Sequence, residues 1–362
     1  MSCETNKHCK YKIFNNFRLL CKVGNNYVFY HSGILYLQDI ESKLYQKIPL
    51  PMPQYKKILL RSRLLERLIR LEPRLAIALD DEIFLLSYQG KIYQISTDGK
   101  VKVEHFYREG MNNPLSFCMV NNRILYGEYF QNHKKESVSI YERDINQNWI
   151  KKYTFQAGQV HHIHQIIYDQ YRKCFWIATG DTDAESGIWK ASLQFENVSR
   201  VFGGKQKYRS CFIMPFEDGI AYATDTPLDK NGIYYAKENK NGSFEVPYLI
   251  YRMPGPTIYG SYLKNGYVMA TSVEPDSSLP VWRYLITRKR GYGVVDKFTH
   301  LIFGNFNREF SEIGYFEKDK YGMSLFQFGN VFFPNHINSC KILCTGQSLK
   351  QIDGKTISID LI

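Results

Sequence analysis

Hydrophobic and polar positions along this chain fall into short aromatic and β-branched runs separated by polar turns, the pattern of half-buried strands. One phrase occurs twice: FWIATGDTDAESGIWKA from Phe175 to Ala191, and IAYATDTPLDKNGIYYA from Ile220 to Ala236. Thr179 and Thr224 are 45 residues apart, as are Gly187 and Gly232. Each copy has a run ending in Ala-Thr, a polar loop, then Gly-Ile-aromatic opening the next run. A fixed period of that size predicts stacked four-stranded units. Weaker copies, such as LAIALDDEIFLLSYQGKIYQIS, bring the number of units to seven. Their third runs, anchored on Ile34, Ile92, Ile140, Ile188, Ile233, Trp282 and Val331, are spaced by 58, 48, 48, 45, 49 and 49 residues. The predicted fold is all-β, a seven-bladed β-propeller with six blades as the alternative count, forming one domain over residues 1–362. A run near Phe14 to Lys22 is expected to pair with the C-terminal LKQIDGKTISIDLI and close the ring.

One segment has helical spacing. YKKILLRSRLLERLIRLEPR, residues 55–74, carries Leu60, Leu64, Leu65, Leu68, Ile69 and Leu71 as an apolar stripe, and Pro73 marks its expected end. It is a basic amphipathic helix inserted between blades one and two, and its seven basic residues outnumber Glu66 and Glu72 by five, a large part of the chain's net +12. Lys56, Lys57, Arg63, Arg67 and Arg70 are its candidate membrane-binding residues. The helix either lies on an anionic membrane or caps the propeller's flank with its leucines. The remaining basic residues scatter and no recognition motif is present, so nucleic acid is not an expected partner.

The N-terminal stretch has no apolar run of export-signal length, and eight irregularly spaced cysteines do not outline a disulfide framework. A cytoplasmic location is expected, peripheral at the inner face of the membrane if the helix binds there. Cys118, Cys174 and Cys211 are expected to be buried. A zinc site from Cys3, Cys9, Cys340 and Cys344 fits no standard spacing, and neither metal nor other cofactor is expected.

In a propeller, the starts of inner strands and the loops between second and third strands share one face. Candidate chemistry collects there. HHIHQIIYD puts His162 and His164 on one side of a strand, and the loop of the same blade carries Asp181, Asp183 and Glu185. Two imidazoles can hold a metal, act as acid and base, or hydrogen-bond sugar hydroxyls. With Arg209 and Tyr259 from the next blades, His162, His164, Asp181 and Asp183 are the catalytic candidates. Glu128, Tyr208, Asp225, Tyr262, Glu274 and Gln327 are the substrate-binding candidates, with Asn113, Tyr129, Asp276 and Glu312 nearby. Any acidic loop residue here can instead cap its own turn.

The HIHxIxYD and WIATGD…SGIW phrases resemble the sialidase-type, BNR-repeat propellers, in particular cytoplasmic members encoded with bacterial capsule and exopolysaccharide genes. The resemblance is clearest over His161 to Ala236. The family's Ser-x-Asp-x-Gly-x-x-Trp box is not intact: after Gly187-Ile188-Trp189 the chain reads KASLQFENVSRVF, and no arginine triad is recognisable. The resemblance therefore implies a glycan-related role in surface polysaccharide biosynthesis and not sialidase activity. The leading expectation is a glycosidase-like enzyme, which would pair two of Asp181, Asp183, Glu128, Asp225 and Glu274 as acid and second carboxylate, with a lyase and a scaffold as the alternatives. A uronate lyase would use Arg209, His162, His164 and Tyr259. A scaffold for a glycan, glycolipid or protein partner at the membrane would use the same aromatic rim.

Overall fold

Runs that alternate in sequence become strands buried on one or both faces, because propeller blades stack face to face. In the computed structural model, which describes residues 10–335 and 341–360, seven antiparallel sheets of four strands are present among the described residues. The inner strands are Arg18–Val23, Leu75–Ala78, Phe117–Val120, His162–Asp169, Ser210–Phe216, Thr257–Leu263 and Asn330–Phe332. The ring closes where Tyr11–Asn15 becomes the outer strand of blade seven, with Tyr11 opposite Ile359 and Ile13 opposite Ile357. The closing strand thus lies earlier than the sequence placed it, and Arg18–Val23 already belongs to blade one.

The core lies between blades. Leu125, Ile140, Ile163, Phe175 and Trp189 pack blade three on blade four, and Trp176, Ile188, Ile213 and Tyr222 pack four on five. Each such side chain contributes about 1.5–3 kcal/mol. Asp169, at the end of the HIHQIIYD strand, is buried and accepts from Trp176 Nε1 at 2.8 Å and Arg172 Nη1 at 2.9 Å. That aspartate is structural.

Ile34, Ile92, Ile140, Ile188 and Ile233 all fall on third strands. The last two anchors do not. Val331 is on the inner strand of blade seven, whose third strand is Thr356–Asp360. Trp282 sits in a helix, Val281–Ile286, that delays the third strand of blade six to Phe298–Asn305.

The amphipathic segment also differs from expectation. It forms two short helices, α1 (Gln54–Leu59) and α2 (Arg63–Ile69), with Ser62 capping α2 by accepting from Leu65 N and Arg70 ending it at φ 52°. Several of its charges are engaged by the propeller and do not stand free in solvent, although Lys57, Arg61 and Arg70 are exposed. Arg67, 2% exposed, bonds Asp319 at 2.6 Å, Asp353 at 3.3 Å and the Phe326 carbonyl at 2.9 Å. Arg63 bonds Asp353 at 3.0 Å and Glu66 at 2.9 Å. Arg70 donates to the Ser324 carbonyl, and Lys56 to Gln89 at 2.8 Å. Of the five residues expected to face a membrane, Lys57 alone is exposed with no such partner among the described residues. The cause is the connection from blade six to blade seven together with the Asp353 loop of blade seven, which offer carboxylates and a carbonyl that satisfy buried guanidiniums better than water satisfies exposed ones. Leu65 and Leu68 are left 39% and 38% exposed.

Cys21, Cys118, Cys174, Cys211 and Cys344 are free and buried; Cys3, Cys9 and Cys340 lie outside the described residues. Among the described residues no helix is long and apolar enough to cross a membrane.

Candidate functional site: the channel mouth

Three inner strands open on an arginine. Arg18 begins that of blade one, while Arg74 and Arg209 immediately precede those of blades two and five. Arg18 and Arg74 converge on the Phe332 ring, at 4.5 and 5.4 Å from its centroid. Arg74 also donates to Gln327 at 2.8 Å and reaches Tyr259 at 3.5 Å. Around them lies a cavity of about 670 Å³ whose walls include Lys56, Arg70, Arg74, Tyr129, Tyr259 and Gln327. Its floor is polar. Glu72, Tyr88, Asn330 and Gln347 line it, and each has a buried polar atom without a partner, as does Arg18 at Nε and Nη1. Such atoms are costly unless something pairs with them. Glu72 is engaged on its other side by Arg18 at 3.2 Å and by Arg63; burial opposes its charge, yet Arg18 and Arg63 hold its carboxyl below the usual value. Glu72 is the one acid among the described lining residues, set against Lys56, Arg70, Arg74 and the adjoining Arg18, so the cavity is positively charged.

Tyr129 joins this cavity to a second group of residues, its ring 4.2 Å from that of His162. His162 and His164 face each other through their Nε2 atoms at 3.0 Å. Asp181 Oδ1 lies 3.4 Å from the first and 3.5 Å from the second. A register shift between Ile163 and Gln165 places a bulge at His164, which turns the strand opening toward the channel. Gly180 makes the room, because a Cβ there would lie 2.5 Å from His164 Cε1. Arg209 Nη2 bridges Asp181, at 3.1 Å, and Asp225, at 3.5 Å, and Cys211 Sγ donates to Asp225 at 3.3 Å.

Charges in this group are shifted in both directions. Burial keeps His162 below the ordinary histidine value, Asp181 only partly opposing. Burial opposes the charge of Asp181, yet Arg209, and the imidazoles where their Nε2 atoms carry protons, hold its carboxyl far below the usual carboxylate range. Glu274 is pushed up to about 7, first by burial and then by the charge of Asp225. Burial drives the Cys211 thiol well up, with Asp225 adding to it. Ligand atoms of His161, His162 and Asp181 lie within 4.8 Å of one another, as do those of His164, Cys211 and Asp225.

The structure therefore gathers His162, His164, Asp181, Arg209, Asp225 and Glu274 in one cluster, whereas the cavity wall carries Tyr259, Gln327, Asn113 and Tyr129 and none of those six. Others stand apart. Glu128 is buried, accepting from Ser139 N at 2.7 Å and Arg108 at 3.4 Å. Tyr208 stacks on Phe202, and Tyr262 donates to the Ile213 carbonyl farther along its strand. Asp183 is exposed on its loop, Asp276 pairs with Lys289, and Glu185 holds Thr182. Glu312 lies on the outer strand of blade six, where it meets His300 at 2.6 Å. Sequence reasoning missed Arg18, Glu72, Arg74 and Cys211. The rule that selected Arg209, a charged residue opening an inner strand, applies equally to Arg18 and Arg74.

No family model matches the chain, and no curated protein matches it by sequence. Among solved structures the chain is similar to a streptogramin B lyase, with TM-score 0.56 and 10% identity over 98% of this chain and 99% of that one. The same figures describe its similarity to the virginiamycin B lyase of Staphylococcus aureus and to the CNH domain of AfRom2. At such identities the likeness shows the propeller fold alone.

Proposed function

We propose that the protein is an enzyme acting on an anionic glycan by elimination. In this reading the arginine-lined cavity takes the acidic group and the imidazole and carboxylate cluster abstracts a proton beside it. The observation that carries it is the juxtaposition, through Tyr129, of a positive cavity with unpaired polar groups and a convergence of three lone pairs. Two-carboxylate hydrolysis needs a proton donor and a second carboxylate, both reaching the substrate. Here Asp225 and Glu274 are buried and Glu128 lies elsewhere, so Asp181 is the one accessible carboxylate of the cluster. An elimination asks for different groups. Arg74 and Arg70 neutralise the substrate carboxylate and stabilise the charge that develops when the adjacent C–H is deprotonated. The proton passes to the cluster, its electron pair forms a C=C bond, the β C–O bond breaks, and the leaving oxygen takes a proton from the phenol of Tyr259 or Tyr129.

The expected result with acidic oligosaccharides is an ultraviolet-absorbing unsaturated product, and Asp181→Asn should slow its appearance by about 100-fold or more while the melting temperature barely changes. New reducing ends without unsaturation would show hydrolysis instead, and binding without any product would show a glycan-holding platform.

Exposed apolar side chains favour a seat on an anionic membrane surface as a further part of this reading. Tyr55, Ile58, Leu65 and Leu68 on α1 and α2, and Val281, Trp282, Leu285 and Ile286 on the helix inserted in blade six, are all exposed. Arg61, Arg283 and Arg288 are exposed beside them. Both sets flank one loop, since Arg70 donates to Ser324 O and Leu325 N to Leu285 O. Such a seat would use the leucines and tryptophan, with lysines and arginines at the rim.

A further inference from the structure

His162 Nδ1 faces the Phe130 carbonyl at 3.3 Å, and His164 Nδ1 faces the Ser210 carbonyl at 3.0 Å. A carbonyl oxygen only accepts, so both Nδ1 atoms carry the ring proton. In the neutral rings both Nε2 atoms are then bare lone pairs, yet they stand 3.0 Å apart with Asp181 Oδ1 at 3.4 and 3.5 Å. Three lone pairs in mutual contact repel one another unless a cation lies among them.

We infer that His162, His164 and Asp181 form a three-ligand site for a divalent transition-metal ion. The dimensions fit. A triangle with these three edges has a circumscribed radius of about 1.9 Å, so an ion at about 2.0–2.1 Å from nitrogen and oxygen sits slightly off its plane with all three bonds equal. The supporting contacts also fit, because a ligating imidazole characteristically fixes its tautomer by donating the other N–H to a carbonyl. Asp181, with 38% of its side chain exposed, leaves room for further coordination positions on its solvent side. Three protein ligands plus open positions are the pattern of a catalytic metal, not a structural one. The charge is suitable as well: Asp181 and Asp225 against Arg209 leave one negative charge, which a divalent ion turns positive, matching an anionic ligand. Two imidazoles and one carboxylate suit zinc, manganese, iron or cobalt better than magnesium or calcium. The neighbouring group of His164, Cys211 and Asp225 is closed, since the Cys211 thiol donates to an Asp225 that Arg209 already holds.

This site stands on the geometry of three atoms and does not depend on the proposed substrate; with an ion held there the three lone pairs are occupied, and the proton of the proposed elimination would pass to a group at the open positions instead. Cobalt(II) added to chelator-treated protein tests it without any variant. The expected result is uptake of one equivalent with visible ligand-field bands and no sulfur charge-transfer band, displaced by zinc. His162→Ala, His164→Ala and Asp181→Ala should each weaken binding by roughly 100-fold, and Gly180→Ala, which removes no ligand but crowds His164, by about tenfold. Cys211→Ser should leave it unchanged. Absence of stoichiometric uptake by the folded wild-type protein would overturn the inference and leave a proton shared between the two imidazoles. A thiolate band, or undiminished affinity in the three ligand variants, would overturn it by placing the ion elsewhere.

Discussion

Replacing Arg67 with alanine should destabilise the protein by about 3–5 kcal/mol, because the change strips a buried ion pair of one partner. Arg67 is 2% exposed, and its guanidinium serves Asp319, Asp353 and the Phe326 carbonyl at once. Without it two carboxylates and a carbonyl face a cavity. Arg67→Lys keeps the charge but not the fork, so its cost should be smaller. Chemical denaturation of the three proteins measures both. The same geometry predicts that exchanging Arg63, Arg67 and Arg70 for glutamate unfolds the molecule and does not merely release it from anionic vesicles. Any vesicle binding should fall instead with Trp282→Ala and Leu285→Ala, which are exposed. An Arg67→Ala protein of wild-type stability that had lost vesicle binding would show that the arginine faces the membrane after all.

Glu274→Gln should stabilise the protein at pH 8 and make no difference below pH 4.5. Burial and the charge of Asp225 raise this carboxyl from its ordinary 4.5 to about 7, while Arg209 and the hydroxyl of Ser272 pull it down and Asp181 adds to the rise. Between those values the folded chain keeps a proton that the unfolded chain has lost, so the contribution of Glu274 to stability falls as pH rises through this window. Above about pH 7 the full cost is present. A shift of this size corresponds to about 3 kcal/mol. Glutamine keeps a partner for Ser272 and carries no charge to desolvate. Melting curves of both proteins at pH 4, 6 and 8 decide it: a gain equal at every pH would mean that the carboxyl titrates normally.

The ring was legible because the clearest blades, four and five, have short loops and repeat Ala-Thr and Gly-Ile-aromatic at matching register. Blade six was not, because the Val281–Ile286 helix stands where the third strand was expected, and the run Val-Trp-Arg-Tyr-Leu-Ile reads equally well as either. The inserted helices were half legible. Their spacing and termini are local properties, but which side faces inward depends on Asp319 and Asp353, more than 250 residues away in sequence and brought close only by ring closure. The site shows the same division. His162, His164, Asp181 and Arg209 could be found from their places at strand openings and loops, whereas the tautomers of the histidines depend on carbonyls of two other blades. Glu128 looked equivalent to Asp181 by position. A backbone N–H and Arg108 draw it away from the mouth.

The cavity arginines are central to the proposed chemistry, and a glycan array probed with the wild-type protein and with Arg74→Gln tests them most directly. Arg74 is tied to Gln327 and Tyr259 and lies over Phe332, and it has no carboxylate partner among the described residues, so its charge is available to a ligand. The predicted result is binding confined to acidic glycans and reduced by at least about tenfold in the variant. Equal binding of neutral glycans by both proteins, or no glycan bound by either, would contradict it.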